Sequence, residues 1–202
     1  MTPEEPHHEA ESLITRVNAE LIRVLALQEM WSRCRIQQDV LIAMGREDLK
    51  PGFLLVRDAL HIDLIMSLVR LYDDPKRYIP ASVPVLIKRL QEPAIRKLID
   101  ACPKRQTASE CALRLYQTGS ERRRSALRTL RDKVLAHNEI GIIEHGAEYG
   151  DETRLVVETV EIASQIDRAI RGQAAQFAPA SLTWKSLADA YWSQTIAMPD
   201  CP

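Results

Sequence analysis

"FLLVRDALHIDLIMSLVRLYDD", residues 53–74, is the stretch whose reading decides the fold. It holds no glycine or proline and is too long for a strand, so it reads as a helix. Its apolar side chains point to nearly every side, which suits a helix at the middle of a bundle or between two subunits.

Outward from this segment the pattern stays helical. Upstream, from Ala10 to Met44, Leu13, Val17, Leu21, Val24, Leu25, Gln28 and Trp31 follow three/four spacing and predict a long amphipathic helix. "GREDLKPG" ends it, with Gly45 and Pro51-Gly52 as punctuation. Downstream, Pro75, Pro80 and Pro84 delimit a loop, and "VPVLIKRLQEPAIRKLIDA" reads as one helix broken or kinked near Pro93. "TASECALRLYQT" gives a short helix closed by Gly119. Ser120 is then placed to cap "ERRRSALRTLRDKVLAHNE", which ends at Gly141. After the polar loop "GIIEHGAEYGDE", Asp151 or Thr153 caps a helix from about Arg154 to Arg171. Its inward stripe is Val156, Val160, Ala163, Ile166, Ala169 and Ile170. In the tail, "WKSLADAYWSQ" sets Trp184, Leu187, Ala188 and Tyr191 on one face. The expectation is an all-α bundle of about six helices, with a body over residues 10–176. Residues 177–202 form a linker and a tail helix that packs on the body or on a partner.

Composition agrees. Of 202 residues 46% are hydrophobic, enough for a core, and only seven are glycine, too few for an all-β chain full of tight turns. The net charge of −1 gives no global nucleic-acid signal, so a basic surface has to be local. Cys34, Cys102, Cys111 and Cys201 show neither a CxxC pair nor zinc-ligand spacing and read as free thiols in a reducing cytoplasm. "MTPEEPHHEA" has no apolar core and does not read as a signal peptide, and no apolar run is long enough to span a membrane.

The chemistry concentrates in "LRDKVLAHNEIG", residues 130–141. With 20 arginines in the chain, an arginine a few residues before a histidine is common by composition alone. The informative features are Asp132 directly after Arg131, the helical setting, and the basic approach through Arg114, Arg122, Arg123, Arg124, Arg128 and Lys133. On an α-helix, six residues turn through about 600°, leaving Arg131 and His137 about 120° apart. His137 then falls in line with Leu130, on the apolar stripe with Leu127 and Val134. A site using both side chains is therefore built where this helix meets another, including its own copy across a two-fold axis. Histidine trades protons near neutral pH with a ribose 2′-hydroxyl or a leaving oxygen, and arginine grips phosphate and steadies developing charge. Asp132 is suited to orient Arg131 or the histidine of the other subunit. These residue types fit RNA cleavage without a metal or other cofactor, and the chain offers no convincing carboxylate cluster for Mg²⁺. Arg124, Arg128, Lys133 and Asn138, the last seven residues beyond Arg131, are the candidate RNA contacts. His61 reads as a core or interface histidine, His145 as a loop histidine. Arg70, Asp73 and Asp74 read as ion pairs at a helix end, and Trp184 and Trp192 as packing anchors.

Arg131, Asp132 and His137 together resemble the motif of the HEPN family: an arginine, a polar residue, and a histidine a few residues on. "RDKVLAHNE", with the earlier "LVRLYDD", is similar to the abortive-infection U-type (AbiU-like) branch, over roughly Leu13 to Gly172. The resemblance implies a helical bundle, homodimerisation through the motif helices, and often ribonuclease activity in phage defence or toxin–antitoxin systems. An antitoxin protein is then an implied partner. It equally accommodates members that bind nucleotide, RNA or protein without catalysis.

Overall fold

The computed structural model describes residues 5–36, 40, 42, 50–73, 81–119, 121–135 and 150–196. The described chain is all-α and contains no strand. In order come α1 (Glu5–Ile36), α2 (Lys50–Leu71), α3 (Val83–Leu90), α4 (Pro93–Asp100), α5 (Pro103–Thr118) and α6 (Glu121–Thr129). A π-helical segment (Leu130–Leu135) continues α6, and α7 (Asp151–Arg171) and α8 (Ala178–Ile196) complete the fold.

α1 is the mast of the bundle. All seven positions expected on its apolar stripe are buried, from Leu13 to Trp31. Around it pack α2, α7 and α8, while α7 also takes the broad face of α5. Interior ridges such as Leu64, Leu68, Leu71, Leu86, Ile99, Ile162 and Ile166 complete one continuous core. Among the described residues no helix is long and apolar enough to cross a membrane.

Several boundaries differ from expectation, and prolines explain most of them. Pro84, Pro93 and Pro103 each stand in the first turn of a helix, where the missing N–H costs nothing and the fixed φ favours entry. Pro93 therefore separates two helices instead of kinking one, and the element count rises above six. Pro51 and Gly52, expected to punctuate a turn, lie inside the first turn of α2 for the same reason. α7 starts at Asp151, itself one of the expected caps: Gly150, at φ 87°, is the N-cap, and no side chain bonds there. At its far end Gly172 (φ 81°) closes the helix in the left-handed region, its N–H donating to the Arg168 carbonyl. Gly119 does close α5, and a Cβ there would lie 2.6 Å from the Leu115 carbonyl oxygen.

Two helices bury less than their sequence suggested. α2 buries Phe53 and the core of its C-terminal half (Leu64, Ile65, Leu68, Val69, Leu71), while Leu55, Val56 and Ile62 are exposed. On α8 the inward pair is Ala188 and Trp192, and Leu187 and Tyr191 are exposed. The Trp192 ring sets that phase: it meets Phe53 edge-on at 6.0 Å and donates from Nε1 to the Met30 carbonyl at 3.2 Å.

Candidate functional site

α6 carries arginines at positions 122, 123, 124 and 128, and the π-helical segment adds Arg131. The expectation of a basic approach for a phosphate backbone meets a network of carboxylates. Arg122 and Arg123 reach Asp151 at 3.5 and 3.3 Å, and Arg123 also pairs with Glu158. Asp151, at the start of α7, is buried, so these arginines neutralise an acid that the bundle has taken out of water, while the buried Glu152 beside it pairs with Arg35 at 3.5 Å. Arg122 and Arg123 thus tie α6 to α7.

Arg124, expected to contact RNA, is only 6% exposed. Its guanidinium lies over the rings of Tyr72 (5.2 Å) and Tyr116 (4.8 Å), and bonds Glu121 at 2.8 Å. That is a packing arrangement. Arg128 donates to the Tyr72 carbonyl at 3.0 Å and lies 3.8 Å from Glu121. Arg131 donates from Nε to Asp132 at 2.7 Å and from Nη1 to Asp73 at 3.0 Å. Positions 124, 128 and 131 share one helical stripe. That stripe docks on the end of α2, at Tyr72 and Asp73. "RLYDD" and "LRDKVL", 58 residues apart in the chain, meet there. Tyr72 is itself fixed by a 2.9 Å hydrogen bond between its hydroxyl and that of Thr159, and burial pushes its pKa up to about 12.

Arg131 is 22% exposed at the side chain. The hydrogen bond it donates to Asp132 raises its pKa above the ordinary arginine value; partial burial opposes this and Asp73 adds to the rise. Asp132, expected to orient Arg131, is thus bonded to it, and Asp73 is a second carboxylate on the same guanidinium. Asp73 read as a helix-end ion pair, as did Arg70, which bonds Glu20 at 3.0 Å. Its reach to the motif was hidden because pairing across 58 residues leaves no local pattern; the one signal was the likeness of "RLYDD" itself.

From Leu130 the backbone winds as a π-helix, a rare conformation that recurs at functional sites. His137, set in line with Leu130 by α-helical arithmetic, lies outside the described residues, and within Leu130–Leu135 the π turn shifts the helical phase. Leu127 is buried and Leu130 packs against the core, so the apolar stripe holds up to that shift. His137, Asn138, His145, Ser120, Gly141, Asp74, Cys201 and the Lys133 side chain lie outside the described residues. Among the described residues no group of three His, Cys, Asp or Glu side chains is placed to hold a metal ion.

Elsewhere, His61 stacks on Trp31 with centroids 4.5 Å apart and an interplanar angle of 9°, and Arg35 lies 4.2 Å from the same indole. Burial lowers the His61 pKa, while Glu152 pulls it upward. It is the packed histidine that its setting predicted. Cys34 is buried, its thiol pushed up to about 11 by desolvation, and the Cys102 thiol is lowered by hydrogen bonds from the Arg105 and Lys104 backbone N–H groups.

No curated protein and no solved structure matches the chain. A family model does, over residues 46–194, a region that takes in α2, the motif and most of α8. With an all-α bundle and Arg131-Asp132 joined to the end of α2, the chain belongs to the AbiU2 family of HEPN domains.

Proposed function

We propose that this chain is a metal-independent endoribonuclease of the phage-defence or toxin–antitoxin kind, acting in the cytoplasm as a homodimer with an antitoxin protein as its natural restraint. The observation that carries this reading is Arg131, a half-buried cation held in place by two carboxylates inside an Arg-Asp-…-His motif of a HEPN chain. In the proposed reaction His137 takes the proton of a ribose 2′-hydroxyl. The oxygen attacks the adjacent phosphorus, and the 5′-oxygen leaves with a proton from a general acid, producing a 2′,3′-cyclic phosphate and a 5′-hydroxyl. Arg131 steadies the negative charge on the phosphoryl oxygens, and Asp132 orients it before RNA arrives. A second copy across a two-fold supplies the other half of the cleft. Lys133, Asn138 and the outer edge of Arg128 are the proposed RNA contacts; Arg124 is withdrawn from that set by its burial.

The test is cleavage of a mixed-sequence RNA by purified protein in excess chelator. Wild type cuts and His137→Ala falls by at least about a hundredfold, the usual scale for a general acid–base group. Equal cutting by the two proteins would sink the assignment. A non-catalytic binding module is the second reading, and one observation favours it: the motif arginine already has two anionic partners. It predicts RNA binding that weakens steeply with salt and no cleavage at all.

A further inference from the structure

A guanidinium has two forks: a side fork of Nε–H with one N–H of Nη2, and an end fork of Nη1 with Nη2. In Arg131 the Nε–H is already donated to Asp132 (2.7 Å), and Nη1 to Asp73 (3.0 Å). A phosphate gripping the side fork leaves Nη1 on Asp73 but has to replace Asp132. The two acids are unequal. Asp132 is 56% exposed at the side chain and neighbours Arg131 in the chain, so rotating one side chain carries its carboxylate into water. Asp73 is 39% exposed and sits at the end of α2. There its backbone N–H donates to the Arg70 carbonyl, and the preceding Tyr72 is buried against Thr159 and Arg128. Charge favours exchange over addition: a phosphate and the Asp132 carboxylate are both anions, so one replaces the other on the fork.

We propose that Asp73 is a positioning residue that keeps its bond to Arg131 Nη1 with RNA bound, and that Asp132 is a placeholder displaced from Nε by an RNA phosphate. This rests on the ribonuclease reading and refines the part played by Asp132: it orients Arg131 in the free protein and yields on binding. The α2 end then sets the angle at which the side fork meets the phosphate.

The probe is a short 2′-O-methyl RNA, which lacks the attacking hydroxyl and is bound without being cut. Binding is followed by anisotropy at low salt, and Arg131 by the ¹⁵N resonances of its guanidinium. Asp132→Asn removes the competing charge and is expected to tighten binding about three- to tenfold. In wild type the probe shifts the Nε–H resonance, while rotation about the Cζ–Nη1 bond stays hindered. Asp73→Asn frees that rotation with and without the probe, and Asp73→Glu restores the hindrance, a recovery that a general loss of folding would not give. Unhindered Nη1 in the wild-type complex, or unchanged or weaker binding by Asp132→Asn, overturns the proposal. A wild type that does not bind the probe overturns it together with the ribonuclease reading. Binding in the stated order without cleavage of unmodified RNA overturns the ribonuclease reading alone.

Discussion

Arg124 shows how a residue's surroundings reverse its meaning. In sequence it is the third arginine of a basic run; in space it is sandwiched by Tyr72 and Tyr116 and bonded to Glu121. Arg124→Ala is therefore expected to cost about 1–3 kcal/mol of stability, through lost packing and lost charge-assisted hydrogen bonds, with the RNA affinity of the folded protein unchanged. Denaturant melts beside binding isotherms check both halves. His61 is a second case. Its folded pKa is depressed, so its contribution to stability is present above the unfolded value of about 6.5 and is lost as pH falls through the folded pKa. Wild type should lose melting temperature between pH 7.5 and 5.5, and His61→Phe, which keeps a ring on Trp31, should lose less. An identical slope in both proteins would place the acid sensitivity elsewhere. The thiols separate in the same way: at pH 8 Cys102 is expected to alkylate well before Cys34, whose pKa is about 11, as peptide mapping after timed labelling would show.

Among elements, α2 is the informative one. Its length and helical nature are plain from residues 53–74, but an all-round apolar helix does not say which side faces the core. Packing against α1 and the motif segment chose the C-terminal half, leaving Leu55, Val56 and Ile62 on a solvent stripe. Self-association through that stripe is the competing form of the homodimer. Leu55→Glu with Ile62→Glu is expected to leave the proposed dimer intact by sedimentation, with the helical circular dichroism unchanged, whereas conversion to a monomer would move the contact to this stripe. The stripe ends some eleven residues before Asp73, about 16 Å along the helix, so a dimer held there keeps its two motifs apart. A dimer that survives both substitutions points to the motif helices instead, the arrangement that shares one cleft. α8 teaches the same lesson on a smaller scale. One residue, about 100° of turn, separates Leu187 and Tyr191 from Ala188 and Trp192, and the indole of Trp192, lodged between Phe53 and the Met30 carbonyl, decides which pair faces inward. Trp192→Ala is expected to destabilise by about 3–5 kcal/mol.

For the whole molecule, the division into a body (10–176) and a tail (177–202) is a proposal that truncation tests. α8 packs along α1, with Asp189 bonded to Arg33 at 2.6 Å and Ser181 to Glu29 at 3.0 Å. A chain ending at residue 176 that still melts cooperatively at a lower temperature marks α8 as an appendage. A non-cooperative melt would make it part of the core.

The sequence by itself determined the helical class, the stripe of α1, the helix-ending Gly119, and the presence of the Arg131-Asp132 motif. Each is written in neighbours a few residues apart, where backbone sterics and helical periodicity act. Packing settled the rest: that Arg122 and Arg123 serve the buried Asp151 of α7, that the motif helix turns π at Leu130, and that Asp73 reaches Arg131. Those depend on which distant carboxylate or ring a long, flexible side chain finds once the helices have packed, and the chain does not encode that choice locally.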